Sequence, residues 1–289
     1  MGIKVERITK KFGKKVILAD INLALEPNRI YGLLGRNGAG KSTLLNIMSD
    51  RIFPTKGAVL LDDVPVHEND AQLGKLYLMS EVNLYPKRSR VRELFKTTKT
   101  MYGNFNEPYA EKLCGAFGLS QKARFGQLST GYRTIFKLIV ALCVPADYVF
   151  LDEPILGLDA NHRELFYREL MESYGEHPRT FVISTHIIEE VANMIEHVFI
   201  VENGKILIDD DVDHMLAQAY LITGPADKVA AYTQGLNVIG TESLGNLKGN
   251  YVFGELNNDR EIPDTVQISR MDLQKLFIHL TSEEVSHED

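Results

Sequence analysis

The stretch Gly35-Arg36-Asn37-Gly38-Ala39-Gly40-Lys41-Ser42-Thr43 constrains this chain more than any other. A buried-strand run, Arg29-Ile30-Tyr31-Gly32-Leu33-Leu34, feeds directly into it, and the helical pattern Leu44, Leu45, Ile47, Met48 follows. It fits G-x-x-x-x-G-K-S. Glycine-rich backbone can turn its amides inward and close onto a helix N-terminus with partial positive charge, which together cradle phosphate. Lys41 is then placed to reach the β- and γ-phosphates of a nucleotide, and Ser42 to set its hydroxyl on Mg²⁺.

A second element supports the first. Tyr148-Val149-Phe150-Leu151-Asp152-Glu153 reads as a buried strand delivering two acids at its C-terminal edge, where ligands bind in parallel sheets. Asp152 is expected to hold the metal, directly or through water, and Glu153 to polarise the water that attacks the γ-phosphate. Phe181-Val182-Ile183 is another short apolar strand followed by a helix, and strands alternating with helices favour an α/β fold with a parallel sheet. The opening, Ile3 to Leu25, reads as short strands around a basic turn, and a helical tract of mixed polarity runs from about Arg90 to Ala141.

Leu128-Ser129-Thr130-Gly131-Tyr132-Arg133 precedes a helix with Ile135, Leu138, Ile139 and Leu142 on one face. Ser129 is a natural N-cap, and Gly131 bares backbone amides at the positive helix end. Lying 23 residues before Asp152, this segment resembles the signature sequence of ATP-binding cassette (ABC) proteins. Other elements then fall in order: Phe12 where the adenine-stacking aromatic is expected, Gly157-Leu158-Asp159 as the D-loop, and Ser184-Thr185-His186 as the switch histidine after its strand. The resemblance covers about residues 1–215. It implies a P-loop NTPase with a RecA-like core, a β-subdomain and a helical signature subdomain at about 84–145. It also implies ATP and Mg²⁺ as ligands and a head-to-tail pair of cassettes. In such a pair Ser129, Thr130 and Gly131 would face the γ-phosphate held by the partner's phosphate loop. His186 would contact the γ-phosphate and hold the attacking water.

The sequence departs from the family pattern at three points. Thr130 stands where the family usually has Gly, and Tyr132 where it usually has Gln. In Tyr77-Leu78-Met79-Ser80-Glu81-Val82-Asn83-Leu84-Tyr85, Ser80 replaces the Q-loop Gln at the metal- and water-sensing position. Glu81 beside it is a substitute in charge, but an extended backbone would point it the other way.

Composition narrows the function. Among 289 residues, 32 Lys+Arg stand against 39 Asp+Glu, a net charge of −7 that argues against a nucleic-acid partner. Lys41 and Asp152 are 111 residues apart, leaving no room for the coiled coil that repair-type cassettes insert there, and one cassette is too few for the translation type. A stand-alone phosphate-loop kinase leaves Leu128–Tyr132 and His186 unexplained. The longest apolar run, Ile135 to Val144, is broken by Lys137 and is too short to span a membrane. Cys114 and Cys143 suggest neither a disulfide nor a metal site, in keeping with a reducing compartment. These readings lead to the ATPase subunit of a membrane exporter, held at the cytoplasmic face of the membrane through a permease. The phrasing at Tyr77–Tyr85, Leu128–Arg133 and Asp152–Asp159 is similar to Gram-positive exporters of antimicrobial or amphipathic peptides. The alternatives are a lipid or polysaccharide exporter, or a soluble cassette not tied to transport. A docking patch for the permease is expected near Tyr85 to Tyr102, where Leu84, Tyr85, Val91, Leu94, Phe95 and Tyr102 offer apolar and aromatic side chains with Lys87, Arg88, Arg90 and Arg92 beside them.

Beyond about Tyr220 the pattern changes to weak strands and two short helices, with 5 Lys/Arg against 11 Asp/Glu. This divides the chain into an ATP-binding domain, 1–219, and an accessory unit, 220–289. Strands at Tyr220–Thr223, Val238–Ser243, Asn250–Gly254 and Val266–Ser269 and helices at Asp227–Thr233 and Met271–Thr281 make a small α+β unit of ferredoxin-like type. The unit is expected to dock on the cassette. The face of Leu273, Leu276, Phe277 and Leu280 is expected to be core, with a dimer contact as the alternative, and the acidic tail from Glu283 to be disordered.

Overall fold

The computed structural model describes residues 1–256 and 260–281. The chain opens with a long hairpin, β1 (Ile3–Phe12) and β2 (Lys15–Leu25), rather than several short strands. With β4 (Lys56–Leu61) and β5 (Val64–Pro65) it forms an antiparallel sheet in the order β2-β1-β4-β5. The central sheet holds β3 (Ile30–Leu34), β6 (Leu76–Met79), β7 (Tyr148–Asp152), β8 (Thr180–Thr185), β9 (His197–Glu202) and β10 (Lys205–Asp211). Their order is β10-β9-β3-β8-β7-β6, with every pairing parallel except β10 to β9.

Strands β3, β6, β7 and β8 are buried throughout, so both faces of the sheet are covered. Period-two alternation sends neighbours to opposite cores. Tyr31, Leu33, Leu76, Leu78 and Phe150 pack toward the antiparallel sheet and α1 (Lys41–Met48). Ile30, Leu34, Tyr77, Met79 and Leu151 pack toward α3 (Val91–Tyr102), α4 (Glu107–Ala116), α5 (Thr130–Cys143) and α6 (Ala160–Glu176). A short helix, α2 (Asp70–Leu73), precedes β6. The tract expected as one helical stretch is therefore three helices, α3 to α5, separated by turns at Gly103 and Gly118.

Phe136 of α5 is the centre of this subdomain. Tyr85, Phe95 and Phe125 lie 4.8, 5.5 and 5.4 Å from its ring centre. This corrects part of the expected docking patch: Tyr85, Val91, Leu94 and Phe95 belong to the core, whereas Leu84 of that patch is exposed, as are Val82 and Met101 nearby. Amphipathic spacing marks an apolar face but does not say that Phe125 and Phe136 cover it.

After α7 (Val212–Ala217) the chain forms β11 (Ala219–Pro225), α8 (Ala226–Tyr232), β12 (Val238–Leu244), β13 (Leu247–Phe253), β14 (Gln267–Arg270) and α9 (Leu273–Thr281). The strand order β12-β13-β11-β14, antiparallel throughout, is that of a ferredoxin-like sheet. The second helix departs from that pattern, following the last strand instead of preceding it. Leu273, Leu276 and Phe277 are buried in the same core as α3 to α6. Glu283 and the rest of the acidic tail lie outside the described residues.

Truncating the ring at the subdomain centre removes a fully buried aromatic. Phe136→Ala is expected to lower stability by about 3–5 kcal/mol in urea unfolding.

Candidate functional site

The phosphate loop leaves β3 and enters α1 through Gly40, whose φ of +112° lies in the region that favours glycine. The loop is clamped from outside: Gly204 N–H donates to Ala39 O at 3.2 Å, and Gly204 O accepts from Ala19 N–H of β2 at 2.8 Å. Lys41 lies within the loop's curve and is almost wholly buried. Its Nζ donates to Gly35 O at 2.7 Å and Arg36 O at 3.3 Å, and stands 3.8 Å from Glu153 Oε1. Burial lowers its proton affinity, and the negative charges of Glu153 and Asp152 oppose that shift.

The acids come from the next strands. Ser42 Oγ donates to Asp152 Oδ1 at 3.1 Å, joining the start of α1 to the end of β7. Burial raises the pKa of Asp152, with the Ser42 bond acting the other way. Glu153 has a φ of +47°, unusual for a non-glycine residue. That turn brings its carboxylate against β8: Thr185 Oγ1 donates to Oε2 at 3.4 Å, and His186 Nδ1 lies 3.0 Å from both oxygens. Asn37, Gly38, Gly40, Lys41, Ser42, Thr43, Glu153 and His186 line one cavity of about 500 Å³. Phe12, half exposed with Lys10 Nζ 4.8 Å from its ring centre, forms the rim together with Lys15. Arg36 and Ala39 face the outer side of the loop instead, in a smaller cavity beside Asn203.

Ser80 sits apart from that cavity. It is buried, and its Oγ accepts from Arg51 Nη1 at 3.1 Å, while Arg51 Nη2 donates to Leu78 O at 2.6 Å. Glu81, not Ser80, lines the cavity of Lys41 and Ser42. The loop is gripped from α5 by Lys137, whose buried Nζ donates to Ser80 O and Glu81 O, both at 2.8 Å. Sequence reasoning passed over Arg51 and Lys137. Lys137 had a signal, a single cation interrupting the apolar run of α5; Arg51 had none.

The signature segment does not reach the phosphate loop of its own chain. Ser129 caps α5 by accepting from Tyr132 N–H at 3.3 Å. Thr130 lines an adjoining cavity with Ser80, Lys137, Asp152 and Glu153. Gly131 packs against the chain before Asp159, and a Cβ there would stand 2.8 Å from Gly157 O. Asp159 caps α6 by accepting from His162 N–H at 2.9 Å, and the bonds from His162 lower its pKa. The donor set at the cavity, a serine hydroxyl on a buried carboxylate, is of hard oxygens and suits Mg²⁺, which prefers few protein ligands and completes its shell with water and phosphate. Among the described residues there is no cluster of three or more His, Cys, Asp or Glu shaped for a softer metal.

Known proteins are similar to this chain over most of its length. A family model described as ABC transporter matches residues 18–156. An uncharacterized ABC transporter ATP-binding protein of Methanocaldococcus jannaschii is 31% identical over 231 residues, covering 77% of this chain and 84% of its own. The lantibiotic transport ATP-binding protein SrtF of Streptococcus pyogenes is 29% identical over 215 residues, 73% of this chain and 91% of its own. Among solved structures, an ATP-binding subunit of an ABC transporter superposes with a TM-score of 0.68 at 20% identity, covering 75% of this chain and 93% of that one.

Replacing the cation that grips the loop leaves two carbonyls without their donor. Lys137→Met is expected to raise amide hydrogen exchange across residues 80–84 by at least about tenfold, with α5 itself still protected.

Proposed function

Because the chain belongs to the ABC transporter family and is an ATPase subunit of it, we propose that it powers an exporter of amphipathic or antimicrobial peptides. The observation that carries the mechanism is the shared cavity of Lys41, Ser42, Glu153 and His186. ATP binds with its phosphates in the loop from Gly35 to Thr43 and its adenine against Phe12. Lys41 exchanges backbone carbonyls for the β- and γ-phosphates. Ser42 and Asp152 are the residues that would hold Mg²⁺, which would supply charge neutralisation for the transferring group.

Glu153 accepts the proton of the attacking water. Its carboxylate is already aimed by Thr185 and His186, so little reorganisation accompanies the step. The site within one chain lacks the signature serine. Ser129 Oγ spends a lone pair on Tyr132 N–H, which leaves its hydroxyl proton to donate to a γ-phosphate. This supports a head-to-tail pair in which Ser129, Thr130 and Gly131 of one copy complete the phosphate site of the other, beside Asp159. Closing that interface uses the binding energy of ATP, and hydrolysis reverses it.

No helix among the described residues is long and apolar enough to cross a membrane, so attachment through a permease is the proposed route to the bilayer. The exposed apolar side chains Val82 and Leu84, next to the loop that Lys137 holds, suit a permease's cytoplasmic helix. Export of a peptide is supported by the kinship to SrtF, whose name assigns it to lantibiotic transport.

Three variants test this reading. Glu153→Gln should keep ATP binding yet lower turnover at least about 100-fold and accumulate a dimer in gel filtration with ATP. Lys41→Ala should instead weaken nucleotide binding itself; equal turnover of Glu153→Gln and the parent would overturn the assignment. Leu84→Asp should reduce co-purification with its permease partner from membranes and leave nucleotide affinity and melting temperature as they are, because Leu84 is exposed.

A further inference from the structure

The C-terminal helix α9 lies between its own sheet and the segment that follows His186. On the sheet side, Gly240 of β12 has no side chain, and a Cβ there would collide with His279 Nδ1. The His279 ring stacks on Tyr251 with centres 3.7 Å apart, and the Tyr251 hydroxyl donates to Glu242 Oε2 at 2.9 Å. On the opposite side, Leu273, Leu276 and Phe277 share one core with Ile188, Val191 and Ile195, and α9 packs on the 3₁₀ turn Ile188–Glu190. The helix reaches the outer face of the phosphate loop, where Thr281 lines a cavity of about 300 Å³ with Arg36 and Gly38.

The turn beneath α9 joins two parts of the catalytic machinery. Thr185 Oγ1, which donates to Glu153, accepts from Ile187 N–H at 3.0 Å, fixing the chain on both sides of His186. Glu190 accepts from Arg163 Nη1 at 2.6 Å, and Arg163 Nε donates to Leu158 O at 3.0 Å, one residue before Asp159. A shift of Ile188–Glu190 therefore moves the segment carrying His186 and loosens the hold on the loop carrying Asp159.

We infer that the C-terminal unit is a working part of the ATPase, with α9 the wedge that sets the position of His186 and Leu276 and Phe277 its positioning residues. The inference rests on the reading of His186 as a group that contacts the γ-phosphate. Leu276 is fully buried, so its truncation leaves a space into which Ile188–Glu190 can relax. Displacement of a catalytic group by about 1 Å costs on the order of 100-fold in rate.

The experiment compares Leu276→Ala, His186→Ala, the double variant and Gly240→Ala in the full chain. Gly240→Ala displaces α9 from the sheet side and leaves the buried Leu276 face intact. ATPase turnover, affinity for a fluorescent ATP analogue with Mg²⁺, and melting temperature are measured for each. Leu276→Ala and Gly240→Ala should keep nucleotide affinity within about twofold and lower turnover about tenfold, and Leu276→Met should restore it. The double variant should turn over no more slowly than His186→Ala, since both changes act through one group. Multiplicative losses, or unchanged turnover in both single α9 variants, would overturn the inference alone. Should Leu276→Ala fail to fold, Gly240→Ala decides in the same cycle with His186→Ala. Parental turnover in His186→Ala would overturn the reading of the site, and the inference with it.

Discussion

The buried charge of Lys41 is the constraint around which this molecule is arranged. An ammonium taken out of water is costly unless donors and counter-charges meet it. Here Gly35 O and Arg36 O accept its protons and Glu153 lies 3.8 Å away. Those carbonyls converge only because the loop curls back on itself through Gly40, and it stays curled because Gly204 holds Ala39 from outside. Gly204 sits in the turn from β9 to β10, so β9 must lie beside β3, as the sheet order provides. Glu153 arrives from β7, two strands away on the other side. Placing one cation thus requires strands from both halves of the sheet.

The acids bear the complementary strain. Burial raises the pKa of Asp152 while it lowers that of Lys41, so each charge is held where its own environment disfavours it. A positive φ at Glu153 costs on the order of 1–3 kcal/mol. Its backbone N–H bond to Ser184 O at 2.9 Å, and its side-chain contacts with Thr185 and His186, offset that cost. Burial thus disfavours the charge of Lys41 and of Asp152 alike, and a ligand bringing the opposite charge to either group would relieve it.

What could be read from the sequence was what lies in one unbroken segment. The phosphate loop, Tyr148 to Glu153, and Ser184 to His186 each carry strand, turn and reactive side chain in one short run, the longest Ile30 to Ser42, and the structure brings all three to one cavity. Contacts between distant segments gave no such sign. Arg51 takes Ser80 Oγ across 29 residues, and Lys137 takes the Ser80 and Glu81 carbonyls across 57 and 56. The expectation that an extended backbone would turn Glu81 away assumed a strand, but β6 ends at Met79 and the loop bends, which brings Glu81 to the cavity. Tyr85 and Leu94 looked available for docking because the aromatic cluster that covers them comes from Phe125 and Phe136, further along the chain. The C-terminal strands were legible from local pattern, whereas the partner of α9 is a turn more than eighty residues earlier.

The approach of Gly131 to Gly157 has a consequence for the proposed dimer. A side chain at Gly131 would stand 2.8 Å from Gly157 O, so only glycine lets the start of α5 press on the turn before Asp159. Thr134 Oγ1 adds a bond to Leu156 O at 3.1 Å, and Arg163 ties Leu158 to Glu190. The signature end and the D-loop are thereby one rigid face and not two surfaces that meet a partner separately. In the proposed dimer, a γ-phosphate of the other copy that drew Ser129 toward it would carry Asp159 and the chain after His186 with it. Gly131, in the first turn of α5, would then also be the joint through which one nucleotide site of that dimer acts on the other.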